Sequence, residues 1–314
     1  MLILSYAVKK ALSKHFPSRQ EGKDFLQFID YHEFKDLERS KFEFFCEENK
    51  LVGYRYFSTK YQYYKGLVVF FHGFGAGHDA YITQIFTLAD RGFLVYAFDH
   101  TTCGESEGEG FFAFSQSLVD QRAFFEFLDH DPAARGLKRY ACGHSWGGYT
   151  AICSLLNPKY DISKVVSMSG FNSPVDIYSQ RSEKMNWFTK IAIKITLFRY
   201  FGKFGNVEAV KILEKTDKDV LIIFGDKDET VPYDKNYMLY KKATEGKPNI
   251  KYLTVPGRAH QPYSTQMAQD YYYWILKKHE EVGTKNMPEI DYLKLIEEDP
   301  FVVDTIYKFL EGTL

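Results

Sequence analysis

Residues 143–147 read Gly143-His144-Ser145-Trp146-Gly147, a Gly-x-Ser-x-Gly pentapeptide that closes one apolar run and opens another. Few short patterns limit a fold so strongly. To lift its hydroxyl above the end of a sheet, the serine must occupy a sharp turn where the incoming strand and the outgoing helix nearly touch. Side chains two residues before and two after would collide there, so both positions favour glycine. The pattern therefore predicts a strand ending near residue 144 and a helix starting at once. It also demands a partner, because a serine hydroxyl is a poor nucleophile until a nearby base takes its proton.

The surrounding chain supplies that frame. Residues 42–46 and 52–57 are β-rich runs joined by 47–50 and predict an antiparallel hairpin at a sheet edge. From Gly66 onward, strands expected at 67–71, 93–98, 164–168, 220–224 and 250–255 alternate with helices expected at 81–91, 115–130, from about 233, and at 301–310. Leu118, Phe124, Phe125 and Leu128 mark the inward face of the second helix. Such alternation predicts an α/β fold: a mainly parallel central sheet with helices on both faces, placing functional groups at the carboxyl ends of the strands. We read residues 1–314 as a single domain with a small helical cap inserted at 171–217, too long for one crossover helix. The charged stretch around 276–299 reads as a surface excursion.

Composition excludes several alternatives. Forty basic and 41 acidic residues leave a net charge of −1, so no global field favours nucleic acid or an anionic membrane. Residues 2–16 read as an amphipathic helix with Leu4, Val8, Ala11 and Leu12 on one face, not as a signal peptide, and nothing else is apolar enough for stable membrane insertion. Cys46, Cys103, Cys142 and Cys153 have no metal-type spacing; Cys142 and Cys153 fall on apolar faces. A soluble, cytoplasmic protein with reduced thiols and no metal or cofactor is the simplest expectation.

Between Gly66 and His260 the sequence resembles the α/β-hydrolases, and within them monoglyceride lipases and S33-type serine aminopeptidases. The resemblance rests on His72-Gly73-Phe74-Gly75, the loop Asp99 to Ser106, the Ser145 pentapeptide, Phe224-Gly225-Asp226-Lys227-Asp228, and Val255-Pro-Gly-Arg-Ala-His260. It implies a chain order of serine, acid, histidine. Ser145 would be the nucleophile and His260 the general base, a role that suits an imidazole titrating near about 6.5. Two acids compete for orienting His260: the family's Gly-x-x-Asp spacing points to Asp228, with Asp226 as the alternative. The backbone N–H groups of Trp146 and Phe74 would bind an oxyanion. His72 and His144 match structural or pocket-shaping positions. Thr102-Cys103-Gly104 departs from the family's Gly-x-Gly.

The expected activity is hydrolysis of a small-molecule carboxylic ester, lipid-like or otherwise partly apolar, through an acyl-enzyme. A serine aminopeptidase or amidase is the alternative; it would need an acidic subsite for the substrate ammonium, and Glu105, Glu107 and Glu109 are nearby in sequence, though such acids usually belong to a solvated loop. Epoxide hydrolases and haloalkane dehalogenases carry Asp where Ser145 stands. A non-catalytic binding protein on the same fold is a further alternative. In the cap, Lys184, Lys190 and Lys194 alternate with aromatics and read either as the solvated side of an amphipathic helix or as a lipid-binding face.

Overall fold

The computed structural model describes residues 2–15, 25–75, 77–110, 113–180 and 185–314. The hairpin forms from β1 (Leu37–Cys46) and β2 (Asn49–Ser58), paired antiparallel from Leu37–Ser58 to Cys46–Asn49. Its turn is tighter than the sequence suggests, because Glu47 accepts a left-handed φ of 55°. Alternation sets the faces: Phe42, Phe44 and Cys46 point into the core while Glu43 and Phe45 point outward. Gly53 pairs with Phe42, and a Cβ there would lie 2.5 Å from the Phe42 ring, so the bare backbone lets that ring lie across β2.

Both β3 (Leu67–Phe71) and β4 (Leu94–Phe98) are buried at every position, as unbroken apolar runs covered on two sides must be. They are joined in the sheet by β5 (Arg139–His144), β6 (Ile162–Met168), β7 (Asp219–Gly225) and β8 (Ile250–Val255). The spatial order is β1-β2-β4-β3-β5-β6-β7-β8, antiparallel from β1 through β4 and parallel from there to β8. Because β3 lies beside β5, the loop leaving β3 is brought against the turn at Ser145.

The helices are α1 (Leu2–His15), α2 (Ile82–Asp90), α3 (Gln116–Leu128), α4 (Trp146–Cys153), α5 (Pro174–Gln180), α6 (Trp187–Phe201), α7 (Ala209–Lys215), α8 (Tyr233–Ala243), α9 (Gln266–Val282), α10 (Tyr292–Leu295) and α11 (Pro300–Glu311). Strand β3 divides its side chains between two apolar clusters, Val69 and Phe71 on one face, Val68 and Phe70 on the other. Helices α3 and α4 cover the first; α2 and α11 cover the second. All four cysteines are buried free thiols. No helix among the described residues is long and apolar enough to cross a membrane.

Residues 171–217 hold α5, α6 and α7 between β6 and β7. The Asn186 side chain accepts from the Thr189 N–H and starts α6, which lies against α1. Within α1, Val8 and Leu12 are half-buried and Ala11 is exposed. Lys190 and Lys194 are exposed as expected, whereas Lys184 lies outside the described residues. The outer side of α6 is not purely polar: Trp187, Phe188, Ile191, Ile195 and Phe198 are exposed there.

The segment 276–299 differs from expectation. Its first part completes α9, which Thr265 caps by accepting from the Ala268 N–H. Only Ala268, Gln269 and Ile275 of that helix are buried, so it carries little apolar periodicity to read. The far end of the segment returns to the body, where Glu298 pairs with Ser264 and its half-buried side chain accepts from Thr87 and Gln84.

The first cluster is dense in aromatic rings, with Phe124 centred 4.7 Å from Phe98, 5.6 Å from Phe44 and 5.9 Å from Phe42. Phe124→Ala should cost about 3–5 kcal/mol of unfolding free energy, since several rings cannot collapse into the vacated volume together. Urea denaturation of the two proteins measures this, and a loss under about 1 kcal/mol would mean the cluster repacks freely.

Candidate active site

Ser145 sits between the end of β5 and the start of α4 with φ 57° and ψ −116°, a backbone conformation costly for any residue with a Cβ. Its surroundings enforce that strain. A Cβ on Gly147 would lie 1.9 Å from the Phe71 carbonyl oxygen, and one on Gly143 would lie 2.3 Å from that of Gly147. The Ser145 N–H donates to Met168 O at 2.8 Å, tying the turn to β6.

His260 belongs to the loop after β8, three strands away from β5, a lateral gap of roughly 14 Å at ordinary strand spacing. The loop closes that gap by crossing the end of β7. Gly225 permits the crossing, since a Cβ there would stand 2.1 Å from Arg258 O. The Lys227 N–H donates to that same carbonyl, and the Ala259 N–H donates to Gln269 Oε1 on α9. Arg258 reaches the Ser264 carbonyl, Gln266 and Asp299, anchoring the loop to the C-terminal segment.

So held, His260 Nε2 lies 2.9 Å from Ser145 Oγ, and its Nδ1 lies 2.9 and 3.1 Å from the two Asp228 oxygens. A carboxylate only accepts, so Nδ1 carries the proton and Nε2 accepts from the serine hydroxyl. Asp228 is buried and also accepts from the Val231 N–H. Asp226 is turned elsewhere, accepting from the Gly257 N–H at 2.7 Å. Of the two acids, only Asp228 meets His260.

Phe74 and Trp146 both lie close to Ser145. Trp146 opens α4, and a Cβ on Gly73 would lie 3.4 Å from Ser145 Cβ, which puts the 73–75 loop against the turn. The rings of Phe74, Phe114 and Trp146 pack edge-to-face at 5.5–6.2 Å, with Tyr178 stacked on Phe114 at 5.4 Å. The packing behind Ser145 is therefore aromatic.

His72 and His144 are buried within this frame. The His72 Nε2 accepts from the His100 N–H while Nδ1–H donates to Gly73 O. His144 receives the Tyr81 hydroxyl proton at Nδ1, 2.9 Å, and donates Nε2–H to the main-chain carbonyl of His260, 2.7 Å. Thus Tyr81 and His144 hold His260 by its backbone. Sequence spacing gives no sign of this contact, which joins residues 63 and 116 positions apart. The loop from Asp99 to Ser106 is internally fastened: Asp99 accepts from His78 and the Glu105 N–H, and Ser106 bonds Asp99 O and the Val52 N–H. Thr102, standing where the resemblance leads one to expect glycine, adopts φ 72°.

Comparison with known proteins bears on the fold. The profile of one family, serine aminopeptidase S33, matches residues 62–202, which include the Ser145 turn and end before Asp228. No curated protein matches the sequence. Among solved structures, the Pyrococcus furiosus esterase Pf2001 superposes with TM-score 0.60 at 19% identity, covering 87% of this chain and all of that one. Est1E from Butyrivibrio proteoclasticus, solved with ferulic acid bound, gives 0.55 at 19%, covering 78% of this chain and 97% of that one. Pyrococcus horikoshii acylaminoacyl peptidase gives 0.54 at 17%, covering 87% of this chain but 47% of the peptidase. The profile match covers less than half of the chain, and the superpositions show that the chain shares the α/β-hydrolase fold of these proteins.

Burial holds both His72 and His144 neutral, pushing each imidazole down to about 3. In the unfolded chain they would titrate near about 6.5. Their contribution to stability is thus complete above that pH and is lost as pH falls towards 3. Glu298 opposes them: burial raises its carboxyl to about 7, so its protonation recovers stability as pH drops from there towards 4.5. Two protons against one leave a net decline of about 1.4 kcal/mol per pH unit between roughly pH 6 and 5. Urea midpoints taken across that interval should fall; an unchanged midpoint would contradict neutral burial of these rings.

Proposed function

We propose that the chain is a serine hydrolase that cleaves a carboxylic ester by acyl transfer. The carrying observation is the hydrogen-bonded line from Ser145 Oγ through His260 to Asp228, at 2.9 Å for each link. Ser145 attacks the carbonyl carbon as His260 Nε2 takes its proton. The same proton passes to the departing alkoxide, and His260 then activates water to release the acyl group. Asp228 keeps the imidazole in the required tautomer and stabilises it when charged. The N–H groups of Phe74 and Trp146 receive the oxyanion, an interaction whose loss typically raises the barrier by about 3 kcal/mol.

The aromatic packing behind Ser145, in which Phe114, Trp146 and Tyr178 are buried and Phe74 is half-exposed, suits an uncharged, partly apolar acyl or alcohol group. In this reading the helices of 171–217 form a cap over the cleft. The esterases among the similar structures support the ester reading. An aminopeptidase would need a free acid for the substrate ammonium. Glu105 is bound to Lys41 and Tyr54 and Glu107 accepts from the Lys50 N–H, which leaves the exposed Glu109 for that role.

A fluorophosphonate probe should label the wild-type chain and leave Ser145→Ala unlabelled, while Ser145→Ala and His260→Ala each lower kcat on a p-nitrophenyl ester at least ~10³-fold. A folded wild type that takes no label would instead indicate a binding protein. Run beside the esters, aminoacyl-nitroanilides should turn over more slowly.

The two aspartates separate cleanly. Asp228→Asn should lower kcat by roughly 10³–10⁴-fold, whereas Asp226→Asn should stay within about twofold of wild type. The reverse pattern would reassign the orienting acid.

A further inference from the structure

Helix α6 is amphipathic twice over. Ile193, Thr196 and Leu197 bury one side against the body. On the opposite side Trp187, Phe188, Ile191, Ile195 and Phe198 are exposed, with Phe198 68% and Phe188 63% accessible. At 100° per residue these five fall within an arc of about 100°, a continuous stripe on one helix face. An apolar patch of that kind is rarely left uncovered in solution.

Within α6 itself the charges are all of one sign. Lys190 and Lys194 line one margin of the stripe and Arg199 the other, and residues 187–201 contain no Asp or Glu. Lys203 follows directly, and α1, packed along α6, adds an exposed Lys10 and an exposed Tyr6. Among the described residues that line the adjoining groove of about 1040 Å³, the acids are Asp176, Glu208 and Asp234. Asp176 accepts from Asn172 and Ser173, and Glu208 is paired with Lys211.

We infer that α6 docks the protein on the surface of an anionic phospholipid bilayer. The helix lies in the plane of the interface, with the five apolar side chains among the upper acyl carbons and the flanking cations reaching up to the phosphates. At 15 residues α6 is too short to cross the hydrocarbon layer, so this contact is peripheral. Charge selects a lipid surface over a second copy of the chain. Two α6 stripes face to face would bring Lys190, Lys194 and Arg199 against one another with no carboxylate on either helix to offset them.

The inference is independent of the proposed chemistry and is tested by binding alone. The full chain is sedimented with vesicles of phosphatidylcholine, with and without phosphatidylglycerol, at low and high salt. Wild type should sediment with the anionic vesicles and be released by salt. The triple variant Phe188→Ser, Ile191→Ser, Phe198→Ser should bind them roughly tenfold or more weakly. Lys190→Glu with Lys194→Glu should weaken anionic binding by a similar factor while leaving any residual binding to phosphatidylcholine unchanged. All these side chains are exposed, and circular dichroism melts establish that each variant is folded. Wild type remaining in the supernatant with both vesicles would overturn the inference. So would a wild-type dimer by light scattering that the triple variant dissociates, because the stripe would then be a self-association face.

Discussion

The close approach of three backbones around Ser145 is the constraint on which the rest depends. The carboxyl end of β3, the end of β5 and the first turn of α4 come so near that Gly147 and Phe71 leave no room for one additional carbon. The cost is a serine with φ 57°, and the return is a hydroxyl raised above the sheet and fixed to within the play of one rotamer. A turn of this kind is stable only inside a rigid sheet, which is why β3, β5 and β6 are nearly wholly buried. The same crowding explains Gly148, whose Cβ would press on Met168 O and Gly170.

Around that fixed point, loops from three other strands are drawn in by main-chain contacts. The 257–260 loop crosses β7 because Gly225 is bare, and three side-chain anchors, Gln269, Arg258 and His144, hold it in place. The imidazole of His260 thereby meets Ser145 and Asp228 without depending on its own side chain to choose a direction. Positioning of this sort is economical in entropy: the loop is ordered on folding, so little freedom remains to be lost when a substrate arrives.

Electrostatics follows from the same packing. Histidines without a carboxylate partner, His72 and His144, are driven neutral by burial, and each neutral ring then serves as donor at one nitrogen and acceptor at the other. Where a buried carboxylate does face a histidine, as Asp99 faces His78, the ring and its hydrogen bonds overcome burial and hold the acid down to about 2. Glu298 has only Thr87 and Gln84 as partners, so burial dominates and its carboxyl rises. The sign of each shift is set by what the fold puts beside the group.

The sequence alone determined the strand–helix alternation, the inward face of α3 and the glycines of the Ser145 turn, whereas the pairing of Ser145 with His260 was expected only from the family resemblance. The first three features are local: an apolar run, a period, or a collision between near neighbours leaves its mark on consecutive residues. Residue type alone did not separate Asp226 from Asp228, two residues apart and equally acidic; the spacing of the resembled family favoured Asp228. The sequence also missed α9, whose three buried residues are too few to impose a period. The hold of Tyr81 and His144 on His260, and the apolar outer face of α6, were decided by tertiary structure alone. A contact between residues 116 positions apart depends on strand order, and whether an apolar side chain is covered depends on what packs against it, neither of which is written in any one stretch of chain.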